Sequence, residues 1–263
     1  MEKWQKVLNK FLERFKGDDL YEGALACGSY VSGNYNEFSD IDVHIVTKRG
    51  VDWRERGNLE IDGILVEYFI NPVNKYEVYM EEEMIERGNH TTKMFARGLI
   101  VEDLNGEVLK LQDRAKELEN IELPEISEFD LLASMYGCWD NIDELKVCYH
   151  EKRDTFYLVY YELYKRLLTL HGKVKKLREF PLFKIDKVLD NETFRNNYGI
   201  SKFYDEYDTC LIRECLICES REVMLKKITK FYNYVMECCG GFDINKFVLR
   251  SEVKWLILRK MKN

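Results

Sequence analysis

The stretch Ala26-Cys27-Gly28-Ser29-Tyr30-Val31-Ser32-Gly33-Asn34-Tyr35-Asn36-Glu37-Phe38-Ser39-Asp40-Ile41-Asp42-Val43-His44-Ile45-Val46-Thr47 sets the reading of the whole chain. It begins as an apolar run that ends in Gly28-Ser29, passes through a polar turn, and re-enters an alternating apolar run carrying Asp40 and Asp42. This is the pattern of strand, short connection, strand. Residues two apart on a strand share a face, so the second strand presents two carboxylates side by side. Close carboxylates repel unless a cation lies between them. Magnesium, a hard ion with a preference for oxygen ligands that commonly arrives with phosphates, is the natural cation. Gly28, at the end of the first strand, lets the backbone approach a bulky ligand, and Ser29 offers a hydroxyl and an N–H to a phosphate.

Outward from this core, residues 2–15 place Trp4, Val7, Leu8, Phe11 and Leu12 at helical spacing. A first strand spans about 21–27 and a second 40–47. Residues 59–66 read as a hairpin through Asp62-Gly63, whose second arm carries Glu67 towards the Asp40 and Asp42 face, with Val66 and Tyr68 pointing the other way. Pro72 opens a helix to about 87, since proline suits a first helical turn. A short helix from His90 feeds a strand at 99–102, and a further amphipathic helix covers 106–119. Residues 120–128, with Pro124, form the best linker. Beyond it, 129–151, 155–171, 180–189, 204–220, 221–238 and 243–262 all carry helical apolar spacing. The expected fold is α+β: a catalytic domain over 1–122 with a mixed sheet and helices, then an all-helical bundle over 123–263.

Gly28-Ser29, ten intervening residues and Asp40-Ile41-Asp42 resemble the G-S-x(n)-D-x-D signature of the DNA polymerase β-like nucleotidyltransferase superfamily. That family requires a third carboxylate on a later strand, and Glu67 stands where many members carry Asp. A loop with phosphate-binding groups facing carboxylates is the apparatus of two-metal nucleotidyl transfer, with metals about 3.5–4 Å apart. The resemblance implies that Asp40, Asp42 and Glu67 hold magnesium, that Glu67 completes one metal shell or takes the proton, and that Gly28 and Ser29 hold the β- and γ-phosphates of a nucleoside triphosphate, ATP in the simplest case. Lys93 and Arg97 have two readings, as groups facing the triphosphate or, more simply, as surface charges. A catalytic domain followed by a helical bundle resembles the aminoglycoside (kanamycin-type) and lincosamide nucleotidyltransferases, antibiotic-resistance enzymes that modify a hydroxyl of a small molecule. In that group the bundle walls the acceptor pocket. Asp140, Asp143, Glu144 and Asp154 are then the candidate acceptor contacts or base, with Tyr136 and Trp139 as stacking surfaces and Lys173, Lys175 and Lys176 as possible triphosphate neutralisers.

Composition restricts the alternatives. A chain of 263 residues with 46% hydrophobic content can bury a sizeable core, and a net charge of −7 disfavours a general nucleic-acid binder. An acidic protein is better suited to cationic acceptors. No apolar run is long enough to span a bilayer, and the chain starts Met1-Glu2-Lys3-Trp4 without an apolar leader, so a cytoplasmic protein with reduced thiols is expected. Cys215 and Cys218, with Cys210, Cys238 and Cys239, can be drawn as a zinc site, but the segment reads as helical and lacks loop glycines, which favours core cysteines. A monomer and a homodimer are both compatible with the pattern. A second class of function competes: Arg166 and His171 fit the R-x4-H pattern of HEPN ribonuclease domains, which pair with minimal nucleotidyltransferases in toxin and antitoxin systems. A nucleotide-binding relative without turnover is a third reading.

Overall fold

The computed structural model describes residues 1–86, 88, 90–197, 199–200 and 203–251. The chain opens with helix α1 (Lys3–Leu12), capped by a reciprocal pair in which the Glu2 backbone N–H donates to Gln5 Oε1 at 2.9 Å. Strand β1 (Tyr21–Cys27) leads into the short helix α2 (Gly28–Ser32), followed by β2 (Ile41–Thr47), β3 (Glu55–Ile61) and β4 (Ile64–Pro72). Helices α3 (Val73–Glu86) and α4 (Thr91–Arg97), strand β5 (Leu99–Asp103) and helix α5 (Glu107–Glu119) complete the N-terminal run. The five strands form one sheet in the order β3-β4-β2-β1-β5. β2 and β4 pair in parallel, and the other neighbours pair antiparallel, so the sheet is mixed as expected.

Each face of the sheet has its own core. On one side the apolar stripe of α1, formed by Trp4, Val7, Leu8 and Phe11, packs against Ala24, Ala26, Ile41, Val43, Ile45 and Val66. Burying four such side chains stabilises by roughly 6–12 kcal/mol as an upper bound, at ~1.5–3 kcal/mol each. On the other side α3, α4 and α5 cover Leu25 and Val46 with Tyr76, Met80, Phe95, Leu111 and Ala115. The strands alternate between these faces. Asp42 and His44 therefore look towards the side of α3, α4 and α5, while Val43 and Ile45 look towards α1.

The sequence reading and the structure differ at several boundaries. The hairpin is longer than the apolar pattern suggested: β3 begins at Glu55, because an edge strand with polar side chains on both faces carries little periodicity. Pro72 closes β4 instead of opening α3, its missing N–H being harmless at a strand end. The expected helix over 243–262 starts as a single 3-10 turn, Ile244–Lys246, with Asp243 Oδ1 accepting the Asn245 N–H; residues 247–251 are not helical and 252–263 lie outside the described residues.

The chain forms two compact units. The first comprises Met1–Pro124 and returns for Lys176–Phe203, which includes a 3-10 turn (Leu182–Lys184) and helices α8 (Ile185–Asp190) and α9 (Glu192–Asn197). A single boundary after residue 122 would leave this second segment in the bundle. It joins the first unit because Arg178 Nη2 donates to the carbonyls of Leu118 at 2.6 Å and Ile121 at 3.2 Å, and Lys176 pairs with Glu122 at 3.3 Å. The second unit comprises Glu125–Lys175 and the described residues from Tyr204 onward. Its helices are α6 (Glu128–His150), α7 (Phe156–Val174), α10 (Glu206–Leu216) and α11 (Arg221–Cys238), of which α6, α10 and α11 start at Ser127, Asp205 and Ser220, whose side chains accept a backbone N–H. Among the described residues no helix is long and apolar enough to cross a membrane.

Candidate active site

The site lies at one end of the sheet in the first unit, where the chain leaves β1 and enters β2. Gly28 adopts φ +79°, a left-handed conformation that favours glycine, and a Cβ at this position would collide with Asp42 Oδ2. Glycine is required here twice over, by the backbone and by the carboxylate pressed against it. Ser29 follows in α2, half-buried beside the same strand end.

The hairpin turn sets the register of the third acid. Asp62 at φ 52° and Gly63 at φ 75° form the two left-handed positions of a tight two-residue turn. β3 and β4 then pair with Asn58 opposite Glu67, and β4 pairs with β2 so that Glu67 stands beside Asp42. A slip of one residue would turn Glu67 towards α1. In this register one carboxylate oxygen from each of Asp40, Asp42 and Glu67 lies within 4.8 Å of the other two. Among the described residues this is the only trio of His, Cys, Asp or Glu that meets this spacing. Among the described residues the cysteines make no such group: Cys215 is buried, Cys218 exposed, and all eight are free thiols.

Electrostatics mark the same point. Burial, followed by the neighbouring charges of Asp40 and Glu67, pushes the Asp42 carboxyl up to about 7, while Lys184 and Lys93 pull it down. Burial first and Asp42 second hold the Cys27 thiol well above its ordinary value. Lys93 is lowered, by burial and then by Lys184. Two lysines therefore converge on the Asp42 side. Lys93 was legible in the sequence; Lys184 was not, since it arrives on the returning segment 176–203. Glu67 is engaged by Arg56 of β3, whose Nη2 and Nε approach Oε1 at 2.5 and 3.1 Å. Alternation along the hairpin puts Arg56, two positions before Asn58, on the same face, but the polar residues of β3 give the sequence no apolar period to read.

Other expected residues are placed elsewhere. Arg97 donates to Glu119, with Nε at 3.2 Å and Nη2 at 3.3 Å. In the second unit Glu144 pairs with Arg153 at 2.8 Å and Asp154 with Arg221 at 3.5 Å; Tyr136 stacks on Trp139 and on Phe247. Lys175 contacts Asp208 at 3.1 Å and Asp205 at 3.5 Å. His171 is wholly buried, stacked on Tyr204 with Nε2 3.3 Å from Asp208, whereas Arg166 is exposed and pairs with Glu162. A histidine sealed in a core cannot reach a scissile phosphate, so the R-x4-H pattern here is structural.

Hard oxygen donors converging on one point, where burial and then neighbouring negative charge hold a proton on Asp42 up to about 7, fit a divalent cation. Gly28 lies against Asp42, and Lys93 and Lys184 bring positive charge to the same side. The comparisons agree: residues 5–96 match the family model described as nucleotidyltransferase domain. This stretch spans α1, every strand up to β4, and the three acids. Residues 5–96 are thus similar to a nucleotidyltransferase domain, and many helices follow them. No curated protein matches the chain. A solved structure, a nucleotidyltransferase-like protein from Exiguobacterium sibiricum 255-15, aligns over 90% of this chain and 77% of its own at 10% identity, with a TM-score of 0.40.

Proposed function

We propose that the protein transfers a nucleoside monophosphate from a nucleoside triphosphate, ATP in the simplest case, to a hydroxyl of a small molecule with release of pyrophosphate. The observation that carries this reading is the register that brings Asp40, Asp42 and Glu67 within 4.8 Å of one another beside Gly28. These three carboxylates would hold magnesium, which when bound supplies charge neutralisation at the α-phosphate and a lowered pKa on the attacking hydroxyl. Gly28 and Ser29 bind the β- and γ-phosphates, with Lys93 and Lys184 compensating their charge. Glu67 faces the side away from β1 and is the group best placed to accept the acceptor's proton. The aminoglycoside-like or lincosamide-like acceptor, and a role in antibiotic resistance, rest on the order of the two regions in the sequence and on no side chain of the site.

Titration calorimetry of the four nucleoside triphosphates, with and without magnesium, into wild type and Asp40→Ala tests the reading without knowledge of the acceptor. Magnesium-dependent binding lost in the variant is expected. Binding that is indifferent to magnesium and to Asp40 would refute it.

A further inference from the structure

Beyond Glu67, on the side of the acids away from Gly28, the same face of the sheet opens into a cavity of about 530 Å3. Its floor continues the two central strands: His44 follows Asp42 on β2, and Phe69 and Asn71 follow Glu67 on β4. Arg56 of β3, Arg54 just before that strand and Tyr79 of α3 also line it. Strand order fixes the polarity of the site, because β1 with Gly28 lies at one side of the acids and β3 with Arg56 at the other. In an in-line displacement the leaving pyrophosphate and the attacking hydroxyl lie on opposite sides of the α-phosphorus. If the pyrophosphate is held towards β1, the acceptor enters from the cavity side.

The charges of the cavity select the acceptor. The Arg54 guanidinium donates to the Tyr79 hydroxyl and, among the described residues, makes no ion pair. Arg56 bridges the cavity and the acids: its guanidinium lies 4.9 Å above the Phe69 ring while it binds Glu67. Glu55 lines the cavity beside the two arginines, and the nearby carboxylates already accept hydrogen bonds. Glu55 Oε1 accepts the hydroxyl of Tyr68, a residue that packs on the α1 side, and Glu83 accepts both backbone N–H groups and the hydroxyl offered by Thr91 and Thr92. The aromatic floor is fixed, with His44 stacked on Phe69 at 5.0 Å and the Tyr76 hydroxyl donating to the Phe69 carbonyl at 2.9 Å. A guanidinium without a carboxylate partner beside a rigid aromatic wall is a seat for a carboxylate or phosphate.

We infer that this cavity receives the acceptor and that the acceptor is an anion, a hydroxyl compound bearing a carboxylate or phosphate group that pairs with Arg54. This rests on the nucleotidyl-transfer reading, and it sets the acceptor class apart from polycationic aminoglycosides, which would bring ammonium groups against Arg54 and Arg56. The test is calorimetric titration of 4-hydroxyphenylacetate and glycerol 3-phosphate as anionic probes, 4-hydroxybenzyl alcohol as a neutral one and kanamycin as a polycation, into wild type and Arg54→Glu, with magnesium and ATP titrated in parallel. Arg54 is exposed, so the charge reversal leaves the core intact. At least one anionic probe is expected to bind wild type at least tenfold more tightly than the neutral probe and kanamycin, and to lose that advantage in Arg54→Glu, while magnesium-dependent ATP affinity changes less than twofold. Tightest binding by kanamycin, an order unaffected by Arg54→Glu, or no binding by either anion would overturn the inference. Failure of ATP to bind wild type would refute the nucleotidyl-transfer reading instead, with the anion arm judged by its own result.

Discussion

Replacing Asp42 by Asn should make the metal-free protein more stable at neutral pH while removing its turnover. An Asp in the unfolded chain titrates near 3.8, whereas burial and its two acidic neighbours hold the folded Asp42 up to about 7. A carboxyl with a raised folded pKa costs nothing below the unfolded value, where both states are protonated. The cost accumulates as pH rises from 3.8 to about 7 and is fully present above that. A shift of about three units corresponds to roughly 4 kcal/mol at ~1.36 kcal/mol per unit, and water reaching this half-buried site reduces the measurable part to about 1–3 kcal/mol. In a chain of this size that is a rise in Tm of roughly 2–10 °C. Thermal unfolding of wild type and Asp42→Asn in EDTA at pH 8 and pH 4 should show the variant ahead at pH 8 and the difference fading at pH 4. Added magnesium should raise wild type alone. A variant no more stable than wild type at pH 8 in EDTA would refute the claim that uncompensated charge is stored at the site.

Gly28→Ala forces a left-handed alanine against the Asp42 carboxylate and should lower turnover by at least a hundredfold for a stability loss of about 1–3 kcal/mol; pyrophosphate release and a chemical melt separate the two. Arg56→Gln frees Glu67 from an exposed ion pair worth about 0.2–1 kcal/mol, so manganese affinity measured by electron paramagnetic resonance should rise roughly 1.5- to 5-fold, and a fall would count against competition between Arg56 and the metal. In the second unit burial keeps His171 neutral, lowering its pKa to about 4, with Asp208 opposing that effect. A histidine whose folded pKa lies below its unfolded 6.5 costs no stability above pH 6.5 and destabilises progressively as pH falls towards 4. Acid unfolding of the helical unit should therefore begin below pH 6.5, and His171→Phe should blunt it; identical acid profiles would contradict this.

The acids were legible because each element of the pattern is local. Alternation in 40–47 put Asp40 and Asp42 on one face, and Asp62-Gly63 is a turn signal strong enough to fix the position of Glu67. Gly28 reads in the sequence as a point where the backbone approaches a ligand; that a Cβ there would meet Asp42 Oδ2 is visible only in three dimensions. What escaped the sequence depends on long separation. Arg56 sits on, and Arg54 just before, an edge strand whose polar side chains hide its period, and Lys184 reaches Asp42 from a segment that apolar spacing assigned to the bundle. His171 misled for the opposite reason: a short motif carries no information about burial, and α7 turns that residue into a core.

The return of residues 176–203 to the first unit also bears on how the protein is made. The helices α6 and α7 leave the ribosome before Lys184 does, so the domain carrying the acids cannot complete itself as an N-terminal block that folds ahead of its neighbour, the usual order for chains built of successive domains. A fragment ending at the linker would keep the sheet and all three carboxylates yet lack the lysine that tempers Asp42. The two units are thus woven in synthesis, and the complete site emerges only once the chain has been translated past Lys184.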